Sequence, residues 1–284
     1  MTRRRFPVGK TLLYVFMSLW ALTTIYPFIW VILNSFKPRG LIRSDTFSLP
    51  IGDKFTLENY VTAFKRVDIG TAYVNSIVIS GAVTVVVMVL AGLAAYAMVR
   101  YSFRLRGFLH SMIIASMMFP VFSTIIPVFR MESSWGIVNT GSIWLTRLSV
   151  VLPQIAGNLS FAIIVLMGFI RSLPVDLEEA AYLEGYNVYQ IFFRIIMPLA
   201  KPSFATVGIF TFLWSYNDLF LQMFFLRSKK FFTITRLLNE ISSQAGTNYG
   251  LMVAAVVMVV IPVLVVYIFL QNYIIKGMTA GAVK

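Results

Sequence analysis

Apolar residues in this chain come in long blocks separated by short polar stretches. Thr11 to Phe36 and Ile69 to Val99 carry no charged residue. Gly107 to Phe129 holds only His110, Leu148 to Ile170 holds none, Pro202 to Leu226 holds only Asp218, and Ile241 to Ile275 holds none. Each block reaches the roughly 20 residues that cross a bilayer as a helix. The pattern predicts an all-α integral membrane protein with six transmembrane helices, spanning 11–36, 74–99, 107–129, 148–170, 202–226 and 249–272. No block is interrupted in a way that suggests a second domain, so one transmembrane domain over 1–284 is expected.

The polar stretches carry their own grammar. Segment 37–73 has Pro38, Gly40, Pro50, Gly52 and mixed charges, so it is expected to be a folded loop, with a helix in "FTLENYVTAFKRV" capped by Thr56. Segment 171–201 is the most articulate. Asp176 with Glu179 forms a candidate capping box after Pro174, Ala180 and Ala181 continue a short helix, and Gly185 sits where a helix ends with positive φ. Asn187 with Gln190 repeats the capping pattern and opens a second helix that stops near Pro198. The result is helix, glycine turn, helix. It can lie on the membrane surface or serve as a docking site for another protein. Its first helix is acidic, which suits anionic lipid poorly, and its alanines leave a flat surface for close approach.

Composition supports the membrane class. The chain has 284 residues, of which 58% are hydrophobic and 12% charged, and its mean hydropathy is +0.81. The net charge of +13 comes from Lys and Arg scattered at block ends, where they reach the interface and anionic lipid, so lipid rather than nucleic acid is the expected partner of this charge. With no cysteine there is no disulfide or thiolate metal site. Lys and Arg divide evenly between the two sides, but "RYSFRLR" concentrates three arginines and the first ten residues hold four basic ones. Density therefore places both termini in the cytoplasm, leaving 171–201 cytoplasmic and 37–73 and 227–248 extracytoplasmic. Trp30, Trp135 and Trp144 then fall near the external boundary, as an aromatic belt does.

The spacing Glu179-Ala180-Ala181, three residues, Gly185, nine residues, Ile195-x-Met197-Pro198 resembles the EAA signature of ABC importer permeases. "NSFKP", "NSIVIS", "AAYAMVR", "LEEAAYLEG", "WSYND" and "KGMTAGAVK" are similar to the maltose-type, carbohydrate-importing branch over nearly the whole chain. Met197 stands where that signature usually has leucine. The resemblance implies a type I ABC importer permease fold in the cytoplasmic (inner) membrane of a prokaryote. It implies four kinds of partner: a second, related permease, two ATPase subunits, an extracytoplasmic solute-binding protein, and membrane lipid. It also implies coupling to the ATPase through Glu178, Glu179, Ala180, Ala181, Gly185, Ile195 and Pro198, with the two glutamates pairing with basic residues of the ATPase. By the same resemblance Phe231, Phe232, Gln244 and Gly246 contact the binding protein, and the tail reaches between the ATPase subunits. Read from the residues alone, Phe231 and Phe232 equally fit a membrane edge and the tail a frayed end.

No P-loop is present: "GKT" at 9–11 would need a glycine where Arg4 stands. No catalytic or metal-binding constellation stands out either. The chain is therefore expected to bind no cofactor directly and to be no enzyme, ATP-Mg being used by partner subunits. Asp218 is the one full charge deep in a block. It reads as a buried structural acid or as the lining of a solute path, together with Asn158, Trp214, Tyr216 and Asn217, with Gln154 beside Pro153 a further polar candidate facing a cavity. Gly81, Ala91, Gly92, Ala94 and Ala95 suit close helix packing. The expected function is half of the pore of an ATP-driven, binding-protein-dependent importer, for a sugar or oligosaccharide. The alternative is a self-sufficient secondary transporter or channel, which would ordinarily show internal repeats or several membrane acids.

Overall fold

A computed structural model describes residues 8–66, 68–245 and 248–280. Gly246, the side chain of Gln244 and the last tail residues 281–284 lie outside the described residues, so the expectations placed on them rest on sequence. The described residues are helical nearly throughout and contain no strand. They group into two compact units, where the sequence suggested one domain. One comprises 1–68 and 238–262, the other 69–237 and 263–284.

In the first unit α1 (Val8–Ser35) is an apolar helix whose side chains are exposed along most of its length, Leu12, Phe16 and Trp20 among them. Such a surface is solvated by lipid or covered by another membrane helix. Two short helices follow, α2 (Arg39–Ser44) and α3 (Glu58–Arg66), the latter with its Glu58 amide donating to Thr56 Oγ1 at 3.1 Å. The loop is folded around buried polar groups. Asn59 Nδ2 donates to the carbonyls of Ser35 and Lys37 at 2.9 and 2.8 Å. Lys37 is fully buried, and its ammonium donates to the carbonyls of Asp45 and Thr46. Desolvation lowers its pKa, opposed by the nearby Asp45 carboxylate. Buried donors of this kind stay only when partnered.

The second unit is built on α4 (Ile69–Arg100), α7 (Ile143–Ile170) and α10 (Lys201–Asn217). Lipid is as apolar as leucine, so these helices are held by close packing rather than by water exclusion. Ala91, Gly92 and Ala95 are buried on the packed face of α4. A Cβ on Gly92 would stand 2.8 Å from Phe204 and 2.9 Å from Phe192, so only glycine admits both rings. Gly81 has open space around it and makes no such contact.

Two expected spans are broken in the structure. Segment 107–129 is not one helix: α5 (Arg106–Ser116) and α6 (Val121–Ser134) meet at 104°. Pro120 sits at the break and forces the preceding residue out of helical conformation. Segment 202–226 is α10 plus a short α11 (Phe220–Phe225), separated where Asp218 becomes extended, with ψ 107°. The last helix, α13 (Tyr249–Ala280), follows α12 (Ile234–Ala245). Among the described residues three helices are long and apolar enough to cross a membrane, or up to five if each bent pair counts as one span, so the expected six are not all met.

Candidate functional site

The 171–201 segment folds as a hairpin of α8 (Asp176–Leu183) and α9 (Val188–Leu199). Gly185 closes α8 with φ +86°, and the Gly185 and Tyr186 amides return to the carbonyls of Tyr182 and Ala181 at 3.0 Å each. This is the left-handed glycine cap with crossed closing bonds. Asn187 and Gln190 form a reciprocal capping box, with bonds of 2.9 and 2.8 Å. The expected box at Asp176 and Glu179 is absent. Val175 is the cap residue and Asp176 already lies in the first turn, where it faces the positive end of the helix. The start of α8 is set instead by a tertiary contact.

That contact is Glu178. Its side chain turns inward and is buried, with Oε1 accepting from Arg100 Nε at 2.5 Å and Oε2 from Tyr96 Oη at 2.8 Å. Arg100 also donates to the Leu173 carbonyl at 2.8 Å. Glu178 is thus bonded within its own chain and not free for the expected pairing with a basic residue of a partner, whereas Glu179 is exposed. Ala181 is buried beside Glu178, whereas Glu179, Ala180 and Gly185 face outward with Leu183, which is 90% exposed. Ile195 packs on the core from a π-helical stretch, Phe192–Ile196. Pro198 lies inside the last turn of α9. The 82° bend into α10 falls at Ala200, two residues later than expected, because Pro202 has no N–H with which to continue the ladder.

A cavity of about 590 Å³ opens where the breaks at Pro120 and Asp218 face α7. Its walls include four of the five expected path residues, Asn158, Trp214, Asn217 and Asp218. The fifth, Tyr216, is buried and stacks on Phe212 at 5.8 Å, away from the cavity lining. Gln154 joins the site: it donates to Asp218 Oδ2 at 2.9 Å and accepts from Ser215 Oγ at 2.6 Å. Asp218 Oδ1 accepts the Leu221 amide at 3.2 Å, so this acid both caps the α11 turn and holds α7. Aromatic rings form the rest of the wall. Trp214 meets Phe161 edge-on at 4.8 Å, and Phe122 meets Phe220 likewise at 4.8 Å. These phenylalanines gave no sequence signal, since apolar rings in a span look like packing.

Residues 88–280 match the family described as binding-protein-dependent transport system inner membrane component. The chain belongs to that family. Over 95% of its length the permease is 33% identical to the diacetylchitobiose uptake system permease protein NgcG of Streptomyces coelicolor, covering 88% of that protein. It is 32% identical to the trehalose transport system permease protein SugB of Mycobacterium tuberculosis over 92% of each chain. It is 30% identical to the arabinooligosaccharides transport system permease protein AraQ of Halalkalibacterium halodurans over the full length of both. The fold matches a chain of a bacterial ABC transporter involved in the import of the acidic polysaccharide alginate. The TM-score is 0.81 at 24% identity, covering 96% of this chain and 99% of that one. The chain is thus a membrane component of a transport system with the ABC importer permease fold.

The segment between α11 and α12 corrects one expectation about this permease. Phe231 and Phe232 are buried, at 6% and 2% exposure, and so present no rings to a binding protein. Asn75 Nδ2 grips the carbonyls of Lys230 and Phe232 at 3.1 and 3.0 Å, and Ser76 Oγ accepts the Ile234 amide at 2.8 Å. Thr233 Oγ1 donates to Gln222 Oε1, and Arg236 covers the Phe232 ring at 4.3 Å. The exposed members of this segment are Arg227, Ser228, Lys229 and Lys230.

Proposed function

We propose that this permease forms half of the pore of an ATP-driven importer of a sugar or oligosaccharide, in the cytoplasmic membrane of a prokaryote, with both termini cytoplasmic. Its partners are a second, related permease, two ATPase subunits that use ATP-Mg, and an extracytoplasmic solute-binding protein. The observation that carries the reading is the two-faced hairpin. One face of α8 is locked onto the membrane helices through Glu178. The other face is bare, offering Glu179, Ala180 and Leu183 to a docking protein. A helix pinned on one side and open on the other transmits a partner's movement instead of absorbing it.

The cavity supports the carbohydrate half of the reading. Sugars present apolar C–H faces and a rim of hydroxyls. A site that takes them pairs aromatic walls with a few convergent polar groups. Trp214, Phe161 and Phe122 supply the walls, and Asn158, Asn217 and Asp218 the polar groups. The names of the relatives point to the same chemistry.

The test is reconstitution. The permease is co-expressed with its neighbouring permease and ATPase genes, purified into lipid nanodiscs, and assayed for ATP hydrolysis with the binding protein. Diacetylchitobiose, trehalose and an arabino-oligosaccharide are added in turn. Stimulation by at least one of them is expected. Failure of any ATPase subunit to co-purify sinks the reading.

A further inference from the structure

The longest helix of the second unit is clamped at both ends, and the clamps touch the two segments that face opposite ways from the membrane. At its first turns Asn75 holds the carbonyls of Lys230 and Phe232, Ser76 accepts the Ile234 amide, and Arg147 donates to Asn75 Oδ1 at 2.9 Å. At its last turns Tyr96 and Arg100 hold Glu178, and Arg100 also holds the Leu173 carbonyl. Asn75, Ser76 and Glu178 are each more than nine-tenths buried, so water does not compete for these bonds. From Asn75 to Arg100 the helix is unbroken, about 38 Å at the ordinary helical rise.

Of the three unbroken spans among the described residues, only α4 lacks an interior proline; α1 contains Pro27 and α7 contains Pro153. Kinks concentrate at prolines and absorb displacement. Two glycines lie between the clamps: Gly92 is wedged between Phe192 and Phe204, and Gly81, after Ser80, stands in open space, yet the helix runs through both without a break. A helix unbroken by proline and gripped by side chains at both ends moves as one body.

We infer that α4 is the rod that carries movement between the 228–236 segment and the α8–α9 hairpin, with Asn75 and Ser76 as its outer clamp and Tyr96, Arg100 and Glu178 as its inner clamp. Glu178 is then a positioning residue: it couples through Arg100 inside its own chain and touches no ATPase. The inference rests on the importer reading above, which supplies the partners at each end.

The experiment reads amide hydrogen exchange in the assembled complex, with and without trapping by MgATP and vanadate. In the wild type, trapping is expected to change exchange both at 176–186 and at 230–237, the latter by about five-fold or more, the low end of coupling between distant sites. Glu178→Gln and, as a gentler break of the same clamp, Arg100→Lys are expected to abolish the change at 230–237 while 176–186 still responds. Asn75→Ala is expected to do the same from the other end. Thr235→Val removes the bond from Thr235 to the Tyr216 carbonyl and spares α4, so the far response is expected to survive. Persistence of the response at 230–237 in the clamp variants, or its absence in the wild type, overturns the rod. Co-purification of the ATPase, scored in the same preparations, tells that failure from failure of the importer reading.

Discussion

The α8–α9 hairpin and the 228–236 segment are both short connections between membrane helices, yet only the first can be read in its own residues. Gly185 takes φ +86° because its neighbours end one helix and start another, and Asn187 with Gln190 closes the capping box within four residues. The determinants of its turn and of the start of α9 are local. In the 228–236 segment the determinants lie elsewhere: the hydrogen bonds that bury Phe231 and Phe232 come from Asn75 and Ser76, more than 150 positions away. Two adjacent phenylalanines beside two lysines look the same in sequence whether they meet a membrane edge, a partner or the chain itself. A connection is legible when its stop signals are its own, and illegible when distant side chains decide which face turns in.

Variants break this comparison in order of their effect on the stability of the chain. The largest is expected at the illegible segment. Phe232→Ala removes a ring that is 2% exposed and covered by Arg236, and large-to-small changes of this kind cost about 3–5 kcal/mol. The thermal midpoint of the purified chain should fall sharply, whereas Lys229→Ala next to it should leave the midpoint in place. Equal effects would mean that the burial of the segment is not what holds it.

The hairpin is expected to lose less, because its signals concern backbone geometry. A Cβ at Gly185 meets nothing within 4 Å, so Gly185→Val costs only the strained conformation, about 1–3 kcal/mol. Asn187→Ala removes one cap, worth about 1 kcal/mol. Both should leave the helix content in circular dichroism close to wild type and act on coupling: solute-stimulated ATP hydrolysis should fall further for Gly185→Val than for Asn187→Ala. The opposite ranking would show that the turn tolerates a side chain and the cap does not.

The same division between local and distant causes runs through the fold. The apolar blocks are visible at once because a span needs only length and the absence of charge. The breaks within them are partly visible. Pro120 and Pro202 mark two bends, but nothing around Asp218 announces that α10 stops there, since its stop depends on Gln154 from α7. The cavity residues Asn158, Trp214, Asn217 and Asp218 could be listed from polarity within apolar blocks, whereas Tyr216 could not be excluded: Trp214 to Asp218 are consecutive, and only the helix phase separates the lining from the packing. The partner of Glu178 was hidden for the same reason as the clamp on Phe232. "AAYAMVR" carries Tyr96 and Arg100, but no spacing links them to a glutamate about eighty residues later.

The smallest effect on stability and the sharpest on function is expected at Glu179. It is exposed beside the buried Glu178, and surface substitutions of this kind stay within about 0.5 kcal/mol. Glu179→Lys should therefore leave melting and the Glu178–Arg100 pair unchanged. It reverses an exposed acidic charge on α8 that Arg100 does not neutralise and that sits next to the flat Ala180 surface. If docking buries Glu179 against a basic residue, the change strands two like charges, and loss of a buried pair costs about 3–5 kcal/mol. If the pair stays exposed, the cost is about 0–1 kcal/mol. Affinity of the ATPase subunit for the permease, measured by titration in nanodiscs, separates these cases: a loss of about a hundred-fold or more corresponds to the buried pair, since each 1.4 kcal/mol is tenfold. Glu178→Gln in the same assay should weaken coupling while leaving that affinity near wild type, because its carboxylate never leaves the chain. If Glu178→Gln and Glu179→Lys weaken ATPase binding equally, the two faces of α8 are not distinct and the two-faced hairpin is wrong.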